Sequence, residues 1–449
     1  MSSECPTSLF QRIEQRCSSD SHQFLDLAAN THHGLIEAIT LLALAERIAS
    51  ALCQQAPNHL ILIYLDQCST FMPVFWGCLS AGLTALPLPM AASGKPPKPY
   101  ELAQLTDLLE QATDVAVVID EKTAAAGNWL PNNAKARWLS FSSLLMGSTP
   151  PSQPAATPAE IAYLLQTSGS TGPCKYAAFT GRSQNTMLCN QRRVMSLFPL
   201  GSSTGIGFAS ALNSLSAYLP LLEAMRHPDR ILEAIESHEI QTLIVPPVML
   251  KSLLAYFRAA SASTPKRNLS SLDKLNIGSS TIGLHEAEEL AQHPKQWGAS
   301  QQLIHFAYGL TETGGLAYGP FRGANQHQHP LGVKIGPIAT DAEVRIHHSG
   351  HSEPGPIEAK RASGFLGYLN PKTFSLTPYN SSTEWFQTGD LGILEKGELI
   401  LCGRIKDTIV VNSRKISLAL IESHIQTTWP DKLETVIACA GPQEELIIF

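Results

Sequence analysis

The run Thr167-Ser168-Gly169-Ser170-Thr171-Gly172, followed shortly by Lys175, gathers hydroxyls, glycines and a cation in one short stretch. Glycine lets the backbone approach a ligand closely, and hydroxyls and free N–H groups donate to an anion. A lysine adds a compact positive charge. These residue types suit a phosphate group. A Walker loop is the competing reading, but "GSTGPCKY" lacks the G-K-[ST] ending that such a loop requires. An exposed Ser/Gly turn is the plain alternative.

Three further clusters carry chemically able side chains. In "HFAYGLTETGG", Tyr308 stands beside Gly309, where its ring can lie on a flat base, and Glu312 offers a hard oxygen ligand suited to Mg²⁺. "WFQTGDLG" is expected to place Asp390 in a tight turn, where a carboxylate can accept from sugar hydroxyls. "LCGRIKDTIVVNSRKIS" sets Arg404 and Lys406 between two strands. Taken singly, each has a plain structural explanation: a packed tyrosine, a turn aspartate, a solvated basic face. The histidines His327, His329, His347, His348 and His351 lie in turn-like text with no acidic or cysteine partner at ligand spacing. They are expected to be solvated loop residues, not metal ligands.

The elements that must position these groups are legible from periodicity. Ile161 to Leu165 reads as a buried strand leading into the Ser/Gly loop, with the Ser/Pro-rich connector 147–160 before it. "TLLALAERIASALCQQ" reads as a helix capped by Thr40. "HLILIYL" and "DVAVVID" read as buried strands, with the helical text "ELAQLTDLLEQA" ahead of the second. "ILEAIESHEI" is helical, and "QTLIVPP" is a strand closed by Pro246 and Pro247. Alternating strands and helices imply a parallel sheet covered on both faces. After about Val333 the text changes to short strands and turns, which implies a smaller β-rich region.

From Gln67 to Gly94 no residue is charged, a length sufficient to cross a bilayer. Pro73, Pro87 and Pro89 interrupt it, so it reads as a buried helix beginning near Pro73 and a short strand from Thr84 to Leu88. No membrane span is expected. The 449-residue chain is 44% hydrophobic and 16% charged, an ordinary folded composition with room for more than one domain. A net charge of -6 argues against nucleic acid as the main partner. Nine cysteines without a C-x-x-C pair, and no signal-peptide pattern at the start, fit a cytoplasmic protein with reduced thiols.

The order TSGSTG…K, YGLTE, TGD and GR-x-K-D, together with "FWGCLSAGLTALPLP", resembles the adenylate-forming superfamily of acyl-CoA synthetases, peptide-synthetase adenylation domains and fatty acyl-AMP ligases. The resemblance covers nearly the whole chain. It implies an α/β fold: a large N-terminal domain of helix-covered parallel sheets plus a small β-rich barrel over residues 1–402. Residues 403–449 would then be a shortened α+β C-terminal domain after a hinge. It also implies ATP and Mg²⁺ as cofactors. Ser170, Thr171, Gly172 and Lys175 would handle the β- and γ-phosphates, with Thr167, Ser168 and Gly169 in the same loop. Gly278, Ser279 and Ser280 match an adenine-side segment, and Tyr308 matches the residue stacked on adenine. Thr311 would touch the α-phosphate, Glu312 would hold Mg²⁺, Asp390 and Arg404 would bind the ribose hydroxyls, and Lys406 falls on the hinge.

The implied reaction is activation of a carboxylic acid to an acyl-adenylate, followed by transfer to the pantetheine thiol of coenzyme A or of an acyl carrier protein. Arg404, Lys406, Arg414 and Lys415 would give an acidic carrier a small basic docking face, an ordinary solvated turn being the plain alternative. The family's C-terminal lysine finds no match before Phe449; Lys415 and Lys432 are the nearest cations. A catalytically incomplete nucleotide-binding relative is therefore the alternative reading. Other departures are Cys174 and Tyr176 around the loop lysine, Ser202 at the substrate-side "PLGSSTG", and Ser413 after the hinge. "GSSTGIGFASALNSLSAYL" contains no acidic residue to hold an α-ammonium, so an aryl or acyl substrate without an α-amine is expected.

Overall fold

The computed structural model describes residues 8–19, 21–27, 34–57, 60–88, 99–112, 114–125, 136–146, 160–167, 174–181, 192–211, 213–259, 267–278, 284–295, 297–300, 303–347, 353–370, 373–380, 383–411, 414–418, 421–422, 425, 438–440 and 446–448. Two compact units emerge: residues 1–227 with 362–381, and residues 228–361 with 382–449.

The first unit holds a sheet in which Tyr163–Thr167, Ala85–Pro87, Leu60–Tyr64, Val115–Ile119 and Ala136–Ser140 run parallel in that order. Three antiparallel strands extend it beyond Tyr163–Thr167: Lys175–Phe179, Phe365–Asn370 and Ser375–Pro378. Leu60–Tyr64 and Val115–Ile119 are buried at every position, as their unbroken apolar runs require of strands covered on both faces. A second set pairs Arg193–Ser196, Leu215–Tyr218 and Gln23–Asp26 in parallel, with Leu35–Glu37 antiparallel beside them.

The uncharged segment forms the helix Cys68–Ala81, ended by Gly82 in the left-handed conformation at φ 67°. It begins five residues before Pro73, which therefore lies inside it. The expected start was wrong because the cap comes from elsewhere in the chain. Both Ser69 N and Ser69 Oγ donate to Asp26 Oδ2 at 3.0 Å, so a carboxylate from the end of strand Gln23–Asp26 satisfies the first turn. Phe71, Phe75 and Trp76 are fully buried. An added Cβ at Gly77 would lie 2.9 Å from the Ala45 carbonyl oxygen, so glycine permits the close packing of this helix on Ala38–Gln55. Thr40 is likewise not a cap. The helix starts at Ala38 after Glu37, whose side chain makes no cap bond, and Thr40 falls inside the first turn. Among the described residues no helix is long and apolar enough to cross a membrane.

The second unit carries parallel strands Thr242–Val245, Lys274–Gly278 and Ile304–Leu310, closed by antiparallel Gly314–Pro320. Its β-rich part is a six-stranded antiparallel sheet in the order Gln328–His329, Gly332–Pro337, Glu398–Arg404, Phe386–Glu395, Gly355–Arg361, Ala342–Ile346. Two short hairpins follow, Thr408–Val411 with Arg414–Ser417 and Ala438–Ala440 with Leu446–Ile448.

Candidate functional site

The "YGLTETGG" text folds as a hairpin: Ile304–Leu310 turns through Thr311, Glu312 and Thr313 into Gly314–Pro320. A register shift between Tyr308 and Gly309 sets Gly309 opposite Gly315. A Cβ on Gly309 would collide with the Gly314 carbonyl oxygen, so only glycine lets the strands close there. Glu312 and Thr313 are buried in the turn, at 8% and 3% exposure, and Thr311 is half-buried. Gly278 ends the neighbouring parallel strand, in register with Ala307.

Asp390 lies within strand Phe386–Glu395, not in the tight turn expected for it. Gly389 before it takes φ 78° and the pairing shifts register after Leu391, so a strand irregularity supplies the bend. Tyr308 Oη donates to Asp390 Oδ2 at 2.8 Å, and Arg404 Nε lies 3.3 Å from Asp390 Oδ1. Asp390 N donates to Thr388 Oγ1 at 3.1 Å, and Thr388 Oγ1 donates to the Ile357 carbonyl at 2.9 Å. Asp390 is 6% exposed, and that burial raises its carboxyl pKa against the Tyr308 hydrogen bond and the Arg404 charge. Burial and the neighbouring carboxylate hold Tyr308 neutral, hence a donor.

Lys175 is exposed and opens its strand, paired in register with Thr167 across the loop. Its ammonium sits 4.9 Å from the Tyr368 ring centroid. Cys174 Sγ lies 3.5 Å from the Thr167 carbonyl oxygen. Ser168, Gly169, Ser170, Thr171 and Gly172, and likewise Ser279 and Ser280, lie outside the described residues. Lys406 is exposed in a 3₁₀ turn, Ile405–Asp407, that Thr408 Oγ1 closes by donating to the Ile405 carbonyl at 2.7 Å. The structure thus brings Tyr308, Asp390 and Arg404 together, with Gly309, Thr311 and Glu312 on the same hairpin.

Sequence reasoning missed several residues. Thr388 stood inside the quoted "TGD", yet nothing in the text gave its hydroxyl two partners. Ser202 is a helix cap: Gly205 N donates to Ser202 Oγ at 3.0 Å at the start of helix Ser203–Ala211. His327 and His329 depart from the solvated loop expectation, whereas His347 is exposed just past strand Ala342–Ile346, as expected. His327 is buried at 6% exposure, with Nε2 accepting from Arg322 N at 3.1 Å and Nδ1 donating to the Lys334 carbonyl at 2.7 Å. Those bonds fix one neutral tautomer. His347 pairs with Glu358 at 2.8 Å, and His329 lies 3.5 Å from Glu395. Only the His329 partner, Glu395, lies far along the chain; His348 and His351 lie outside the described residues. Among the described residues no group of three or more His, Cys, Asp or Glu could hold a metal.

Parallel sheets under helices, an antiparallel β-rich part and a buried Tyr308–Asp390 pair met by the exposed Arg404 are features of the adenylate-forming fold. The chain belongs to the AMP-binding enzyme family, whose family model matches residues 40–369. A solved structure from work on fatty acyl-adenylate ligases of E. coli and L. pneumophila aligns with TM-score 0.81 at 21% identity, covering 99% of this chain and 87% of that one. The McyG A-PCP structure complexed with phenylalanyl-adenylate aligns at TM-score 0.80 and 20% identity, covering 100% and 74%. Among curated proteins, the chain is 25% identical to atromentin synthetase of Tapinella panuoides, over 91% of this chain and 46% of that protein. It is 26% identical to inactive atromentin synthetase invA6 of Paxillus involutus, over 82% and 41%. The chain spans less than half the length of these curated relatives.

Proposed function

We propose that this chain activates a carboxylic acid lacking an α-amine, using ATP, and passes the acyl group to a pantetheine thiol of a carrier protein or coenzyme A. The observation that carries the reading is the Tyr308–Asp390–Arg404 set in a member of the AMP-binding family. A carboxylate held by a neutral phenol and a guanidinium is oriented before a ribose arrives, and its remaining lone pairs can accept from ribose hydroxyls. Thr311 serves the α-phosphate, and Thr171 and Lys175 the β- and γ-phosphates. Glu312, buried at 8% exposure in the turn between the two strands, carries the hard carboxylate oxygens that Mg²⁺ takes, so it would hold that ion beside the substrate phosphates. When bound, that ion neutralises phosphate charge.

In the first half-reaction a carboxylate oxygen of the acid attacks the α-phosphorus, and the bond to pyrophosphate breaks. Two anions meet, so donors must offset the charge before attack. The acyl-adenylate is a mixed anhydride; a thiolate adds to its carbonyl and AMP leaves. Residues 1–402 would form the large adenylation body, with residues 403–449 turning against it about Lys406 as the hinge.

The test is acid-dependent exchange of labelled pyrophosphate into ATP across aryl, fatty and amino acids. Exchange is expected with an aryl or fatty acid, followed by an acyl mass gain on a carrier protein. ATP binding without exchange for any acid overturns the reading. That outcome would support the second one, a nucleotide binder without turnover, which the similarity to an inactive synthetase favours.

A further inference from the structure

We infer that Arg361 is a positioning residue for the turn that carries Thr311 and Glu312, an inference resting on the role proposed above for Glu312. Arg361 ends strand Gly355–Arg361. Its Nε and Nη2 both donate to Asp341 Oδ2, at 3.1 and 2.8 Å, and its Nη1 donates to the Gly315 carbonyl. The Arg361 side chain is only 18% exposed, whereas Asp341 is 64% exposed.

An exposed ion pair would by itself contribute little. The geometry here does more than pair two charges. A guanidinium is a rigid planar fork, so gripping Asp341 with two nitrogens fixes the direction of the third. That third donor meets the backbone of Gly315, the register partner of Gly309 and the second residue after the turn. One residue further from the turn, Ala339 N donates to the Leu316 carbonyl at 2.8 Å. The outer edge of the return strand is therefore held twice in succession, and the clamp nearer Glu312 is a side chain. Thr311, Glu312 and Thr313 span the gap between Leu310 and Gly314, so fixing the Gly315 carbonyl restricts where the Glu312 carboxylate can stand. A charge-assisted hydrogen bond to a carbonyl suits that restraint.

The experiment compares wild type, Arg361→Ala, Arg361→Lys, Asp341→Asn and Glu312→Gln in the full chain. Amide hydrogen exchange is followed over residues 305–320, and the Mg²⁺ concentration for half-maximal pyrophosphate exchange is measured. Arg361→Ala is expected to speed exchange at Thr311–Gly315 and raise the Mg²⁺ half-saturation about three- to tenfold, with the KM for the acid unchanged. Arg361→Lys should recover only part, because one ammonium cannot reproduce the fork. Asp341→Asn should move both readouts the same way while keeping the arginine, which covers the case in which Arg361→Ala fails to fold. Unchanged amide exchange in Arg361→Ala and Asp341→Asn overturns the inference. So does faster amide exchange with an unmoved Mg²⁺ half-saturation, where Glu312→Gln does move it. If Glu312→Gln leaves the Mg²⁺ dependence as in wild type, the metal role of Glu312 fails instead. The amide readout still reports separately whether Arg361 clamps the turn.

Discussion

The Tyr308 hydroxyl and the Asp390 carboxylate meet at 2.8 Å although 82 positions separate them in the chain. Burial raises the pKa of both groups, so the phenol stays protonated and the hydrogen bond has a defined donor. Tyr308→Phe keeps the ring and removes only that donor. Its expected cost is about 1–2 kcal/mol of ATP affinity, a five- to thirtyfold rise in Kd, because a buried charged acceptor loses a partner. Calorimetric titration with ATP measures it, and a Kd within twofold of wild type refutes it.

Asp390 also predicts a pH dependence. Its folded pKa lies above its unfolded one, so between the two values the folded state binds more protons. The contribution is fully present below the unfolded value, near 3.9, and is lost as pH rises through the raised folded value. Asp390→Asn has no proton to lose there. Wild type should therefore lose stability relative to Asp390→Asn as pH rises from about 4 toward neutrality. Parallel melting curves across that range check the sign, and the opposite slope would contradict it.

Gly309 is required by sterics. Gly309→Ala would drive a methyl into the Gly314 carbonyl, and the hairpin must open to admit it. A loss of about 1–3 kcal/mol in stability is expected, with a larger fractional loss of pyrophosphate exchange because the turn residues shift with it. Urea unfolding monitored by circular dichroism gives the first number. A neutral substitution would show that the bulge relaxes freely.

The helix Cys68–Ala81 is capped by Asp26, which accepts from both Ser69 N and Ser69 Oγ. Asp26→Ala should cost about 1–2 kcal/mol, the usual range for losing a capping side chain. Ser69→Ala removes only the hydroxyl donor and should cost less. If the two substitutions cost the same in chemical denaturation, the backbone part of the cap contributes nothing.

Much of this was legible because local rules govern it. The apolar runs at Leu60–Tyr64 and Val115–Ile119 became fully buried parallel strands, as their lack of alternation demanded. The clusters around Tyr308 and Asp390 announced themselves by residue type. What failed was anything whose partner lies far along the chain. Thr40 looks like a cap and Pro73 like a helix start because both follow local custom. The real cap of the second helix is Asp26, distant in sequence and adjacent only after folding. His327 is a different case: Arg322, Lys334 and Phe321 are near it in the chain, but turn-like text does not show that the fold buries the ring among Phe306 and Phe321. Arg361 gave no signal at all, since its value lies in Gly315 and Asp341, neither of which is near it in the text.

Strand Gly355–Arg361 touches both halves of the constellation: Ile357 accepts from Thr388 beneath Asp390, and Arg361 reaches Gly315 beyond Glu312. Because side chains alternate along a strand, inserting one residue between Ile357 and Arg361 would turn the guanidinium to the opposite face. This segment therefore tolerates exchange of letters far better than a change in its count, and lineages descending from this gene should vary its spelling while preserving its length.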